Sequence, residues 1–86
     1  MDTASLESLI AEALPGAKVS AVDLRGSGDH FEVKVVSELF AGRSPVEQHR
    51  MVYEALGEAM GGEIHALTIE ALTPAEAGQT GQGEQN

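Results

Sequence analysis

Ser44-Pro45-Val46-Glu47 fixes a helix start in the middle of this chain, and that position decides what the rest can become. Ser44 is a natural N-cap. Pro45 falls on the first helical position, where its missing N–H costs nothing, and Glu47 stands three residues after the cap and completes a capping box. The helix is predicted to run to about Met60 and to end at Gly61-Gly62. Before it, Phe31, Val33 and Val35 alternate with His30, Glu32 and Lys34, the period of a half-buried strand. After it, Ile64 to Ala71 reads as another strand. A helix framed by strands leaves neither an all-helical bundle nor an all-β sandwich.

The remaining segments complete the order. Leu6, Leu9, Ile10, Ala13 and Leu14 recur at helical spacing and form one apolar stripe. Asp2 or Thr3 can cap that helix, and Pro15-Gly16 stops it. Ala17 to Leu24 reads as a strand whose alternation slips at Val22-Asp23-Leu24, the mark of a bulge or of the strand's end. Arg25 to Asp29 is a turn, so the first two strands form a hairpin. Ser37 to Gly42 reads as a single helical turn anchored by Phe40. On the long helix, Val46, His49, Val52, Tyr53, Leu56 and Met60 are predicted to share the apolar face, with Met51 opposite and exposed. The expected class is α+β, in the order α-β-β-α-α-β, with helices covering one face of a three-stranded sheet. Residues 1–74 form the domain. Residues 75–86, rich in Gly, Gln and Glu, are expected to be a disordered polar tail.

Composition narrows the functions open to such a fold. A chain of 86 residues is one small domain, able to bury about 60% of its unfolded surface. It has no cysteine, which excludes a disulfide scaffold, a zinc finger and a thiol nucleophile. It opens Met1-Asp2 with no signal-peptide pattern, and no apolar run approaches the ~20 residues of a membrane span. The expectation is a soluble, cytoplasmic protein. The net charge of -9 opposes phosphate binding, which relies on clustered Lys and Arg. Arg43 and Arg50, near the start of the long helix, are the candidate nucleic-acid contacts. Gly26-Ser27-Gly28 joins two strands with no helix behind it, so it is no phosphate cradle. No nucleophile–base pair can be placed, and a non-enzymatic role is expected.

Three histidines remain. His65 shares the strand parity of Leu67, Ile69 and Ala71, which by itself would bury it. It also stands at the strand mouth beside Gly61-Gly62, where a ring can be turned outward. Without thiols, any soft-metal chemistry here must use imidazole and borrow thiolates from a partner. His30 opens the second strand on the parity of Glu32 and Lys34. It reads either as a solvated strand-end residue or as a second ligand, with Asp29 as its orienting carboxylate. His49, inside the helix's apolar stripe, reads as structural.

Taken together, several segments resemble the BolA family. They are Asp29-His30-Phe31-Glu32-Val33-Lys34-Val35-Val36-Ser37, Phe40-Ala41-Gly42, Gln48-His49-Arg50-Met51-Val52-Tyr53, Ile64-His65-Ala66-Leu67-Thr68-Ile69 and Thr73-Pro74. The resemblance spans about residues 4 to 76. It implies a fold similar to a type II K-homology domain and a monothiol glutaredoxin as partner. It also implies a two-iron two-sulfur cluster shared with that partner and with glutathione, and absent from the isolated chain. His65 matches the family's motif histidine. The family's second ligand is a His or Cys in the loop between the first two strands. No such residue lies within Arg25 to Asp29, and His30 is the nearest candidate. Either His65 and His30 both serve the cluster or the complex is cluster-free. Because imidazole must be neutral to bind metal, cluster retention is expected to weaken as pH falls toward about 6.5. The resemblance also implies the alternative of a DNA-binding transcriptional regulator of stress response and cell morphology. The isolated chain is expected to be a monomer or a weak homodimer.

Overall fold

A computed structural model describes residues 1–78. Helix α1 spans Thr3–Ala13, and the Asp2 carboxylate caps it by accepting from the Ser5 N–H at 2.7 Å. Strands β1 (Lys18–Asp23) and β2 (His30–Val36) pair antiparallel. A 3-10 turn at Glu38–Phe40 leads into α2 (Pro45–Leu56), which carries the full Ser44/Glu47 capping box. A second 3-10 turn, Gly57–Ala59, precedes β3 (Ala66–Leu72), which pairs parallel to β2. The sheet order is β1-β2-β3. Of the two successive helices expected from sequence, the first is this 3-10 turn and the second is α2.

One face of the sheet carries the core. Phe31, Val33 and Val35 from β2 meet Leu6 and Ile10 from α1, Val52 and Leu56 from α2, and Phe40 and Ile64 from the connections. Ser37, the one buried polar residue in the described chain, caps the first 3-10 turn through its hydroxyl. The β1 alternation slip is the strand's end and not a bulge: the pairing with β2 is unbroken from Lys18↔Val36 to Asp23↔Phe31.

Two expectations need correction. The buried stripe of α2 is turned away from Val46 and Tyr53, which are 66% and 43% exposed, and toward Met51, which packs against the core. Gln48 explains the turn. Its side-chain amide reaches back to donate to the carbonyls of Phe40 (3.0 Å) and Arg43 (3.1 Å), so a polar residue sits on the inward side of the helix. Pattern reading assigned that side to its apolar neighbours. His49 is half-buried beside the stripe. The second concerns residues 75–78, expected from sequence to be without structure. Residues 74–78 form a helical turn, with a reciprocal pair of bonds between Thr73 and Glu76 at its start. Residues 79–86 of that expected tail lie outside the described residues.

Candidate metal-ligand site at the strand mouths

The β1–β2 turn is built around one side chain. Asp23 accepts from the N–H groups of Arg25 (3.2 Å) and Gly26 (2.8 Å) through one carboxylate oxygen and of Gly28 (2.9 Å) through the other. This is the Asx-type chemistry that makes Asp a turn residue. Gly28 has φ +78, and a Cβ there would come within 2.9 Å of the Met1 carbonyl oxygen, so only glycine fits. The turn delivers Asp29 and His30 to the mouth of β2.

Register then brings the third residue in. His30 lies opposite Ala66 in the parallel ladder, so His65 falls beside Asp29. The Asp29 carbonyl accepts from the His65 N–H at 2.8 Å and from the Ala66 N–H at 3.2 Å. His65 precedes the first ladder residue of β3, and its side chain is 64% exposed where strand parity alone would bury it. The His30 side chain, on the open face of the sheet, is 21% exposed. The two rings stand 6.2 Å apart between centroids, tilted by 58°. Residues whose strand parities differ in sense are thus neighbours in space, a convergence that alternation alone does not reveal.

Asp29 lies between them. Its carboxylate is 2.8 Å from His30 Nδ1 and 3.9 Å from His65 Nδ1. The first is a hydrogen bond and the second is too long for one. The Ser27 hydroxyl donates to the same oxygen that holds His30. The Ser27 hydroxyl foremost, and then the His30 ring, hold the Asp29 carboxyl down at about 2, well below its usual range. It is therefore ionised throughout the neutral range and can only accept.

The donor set fits half of a coordination sphere. Two imidazoles converge, and among the described residues no group of three or more His, Cys, Asp or Glu side chains is placed to hold a metal ion. With no cysteine in the sequence, a cluster's remaining ligands would have to come from another molecule.

Arg43 and Arg50 lie elsewhere, on exposed surface at the beginning of α2. Arg43 Nε donates to the Leu39 carbonyl at 3.2 Å. Between the two arginines, the Glu47 carboxyl is lowered chiefly by the Ser44 N–H that it accepts from, and further by the two arginine charges. An acid thus sits close enough to both arginines to feel their charge.

A protein-family model described as BolA-like protein matches residues 10–76. The chain belongs to the BolA-like family. The domain is 55% identical over 51 residues to human BolA-like protein 1, covering 59% of this chain but 37% of that protein. It thus spans about two fifths of the length of the mammalian relatives that it matches. To the Vibrio cholerae DNA-binding transcriptional regulator BolA it is 48% identical over 58 residues, 67% of this chain and 55% of that one. The Escherichia coli acid stress protein IbaG is 39% identical over 77 residues, 88% of each chain. Among solved structures, a bolA protein homologue from Coxiella burnetii superposes with a TM-score of 0.80 at 35% identity, covering 91% of this chain and 97% of the other. The mixed sheet with its helices is therefore the BolA architecture. No helix of the described chain is long and apolar enough to cross a membrane.

Proposed function

We propose that this BolA-like domain is a non-enzymatic adaptor that pairs with a monothiol glutaredoxin and completes, through His65 and His30, the ligand shell of a shared two-iron two-sulfur cluster. The single observation that carries the reading is the outward-facing His65 ring beside His30, on a chain with no thiol of its own. The partner's cysteine and a glutathione thiolate supply the sulfur ligands. Mixed imidazole–thiolate ligation gives such a cluster a higher potential than thiolate alone. What this chain contributes is two imidazoles at the strand mouths and a carboxylate that orients at least one of them.

The test is reconstitution with a monothiol glutaredoxin and glutathione, followed by visible absorption and circular dichroism. The His65→Ala domain is expected to lose the mixed-ligand spectrum while its far-ultraviolet spectrum stays native. An unchanged cluster spectrum in that variant would sink the reading.

A second reading has a specific finding behind it, the similarity to the Vibrio cholerae DNA-binding transcriptional regulator. In that reading Arg43 and Arg50 contact phosphates of duplex DNA. The acidic background and the intervening Glu47 weigh against it. Binding with sequence preference that survives moderate salt would favour it over the adaptor role.

A further inference from the structure

We infer that Asp29 is the positioning residue of this site: it locks His30 as the Nδ1–H tautomer and so makes Nε2 the nitrogen presented to a metal. This rests on the adaptor reading for what the nitrogen is used for. The geometry stands apart from it.

An ionised carboxylate has no proton to give, so the 2.8 Å contact between Asp29 and His30 Nδ1 requires the ring to be the donor. In a neutral imidazole the other nitrogen then carries the lone pair. Three features keep the carboxylate in place. Ser27 donates its hydroxyl to the oxygen that holds His30. The Asp29 main chain is pinned from the other side by the N–H groups of His65 and Ala66. The preceding turn is closed on Asp23. Asp29 thus ties the two histidines by different means: His30 by a ring hydrogen bond, His65 by its backbone N–H, with its ring too far for a hydrogen bond.

That difference divides the labour. His30 is half-buried and set before any partner arrives. His65, with its Nδ1 3.9 Å from the carboxylate and its ring in solvent, keeps its tautomer and rotamer free to adjust. A pre-oriented donor beside an adaptable one lets the site accept a cluster whose other ligands are fixed on a second protein. Second-sphere carboxylates on metal-binding histidines commonly change affinity by about 10–100-fold when removed.

The experiment has two readouts. The first is the ring ¹⁵N shifts of His30 and His65 in the apo domain, compared in their neutral forms. In the wild type, His30 is expected as the Nδ1–H form. In Asp29→Ala it should redistribute toward Nε2–H, while His65 is unmoved and the amide spectrum stays dispersed. Asp29→Asn, which keeps an acceptor oxygen and serves should the alanine variant fail to fold, should retain part of the Nδ1–H population. The second readout is cluster retention in the complex with a monothiol glutaredoxin and glutathione, challenged by a chelator. Loss should be about 10-fold faster or more in Asp29→Ala. A His30 ring that is Nε2–H in the wild type, or unchanged in both Asp29 variants, overturns the inference. So does a changed tautomer with unchanged retention. A wild-type complex that never forms a cluster overturns the adaptor reading and this inference with it, whereas a normal wild-type cluster with an indifferent His30 tautomer removes only the role of Asp29.

Discussion

The mouth of the sheet and the start of α2 are both crowded with polar side chains, but they spend them differently. At the start of α2, Ser44 and Glu47 bond each other's backbone, Gln48 bonds two carbonyls, and Arg43 bonds a third. Each is engaged by the local fold. At the strand mouths, Asp23 and Ser27 are also engaged, yet their effect is to hold the turn and Asp29 and, through Asp29, the His30 ring. Polar groups that satisfy a chain terminus stabilise a helix. Polar groups arranged in a relay leave something unsatisfied at the far end, and that remainder is what a partner can use.

The contrast can be broken by substitution, and the largest effect is expected at the mouth. His65→Ala should abolish the mixed-ligand cluster spectrum and leave thermal stability within ~0.5 kcal/mol of wild type, as for an exposed residue; chemical denaturation alongside reconstitution checks both. Ser44→Ala should do the reverse. Loss of the cap is expected to cost about 1 kcal/mol of unfolding free energy with the cluster untouched, and a shared loss of both properties would erase the distinction between the two regions.

A smaller effect concerns acid. The Asp29 carboxyl is lowered on folding from 3.8 to about 2, so its contribution to stability is fully present above pH 3.8 and disappears as pH falls through about 2. Asp29→Asn should therefore flatten the stability profile between about pH 4 and pH 2. A denaturation series across that window decides it, and a wild-type profile equally flat there would contradict the ionised carboxylate. Smallest of all, Arg43→Ala with Arg50→Ala should change stability by less than ~0.5 kcal/mol. If the DNA reading holds, each substitution should lower the slope of log affinity against log salt by about one; no change in slope would remove these arginines from any phosphate contact.

Much of this was legible from the residues. Ser44-Pro45-Val46-Glu47 gave the helix start, the Phe31/Val33/Val35 alternation gave the core strand, and Pro15-Gly16 ended α1, because each rests on local chemistry within a few residues. The position of His65 at a strand mouth was equally local. The inward side of α2 was not, since the Gln48 amide finds its carbonyls at Phe40 and Arg43, where apolar periodicity has nothing to say. Nor was the meeting of His30 with His65. That depends on the parallel register of β2 with β3, set by pairs 36 positions apart in the chain. Residues of differing parity become neighbours only when one of them stands just outside the ladder.

One modest contact bears on how this domain keeps company. From α1, the Glu7 carboxylate accepts the main-chain N–H of Ala21 in β1 at 2.9 Å. β1 is an outer strand of the sheet, and an outer strand with free donors invites copies of itself to zip on. A negative charge parked over that donor discourages such growth along the hairpin's flank.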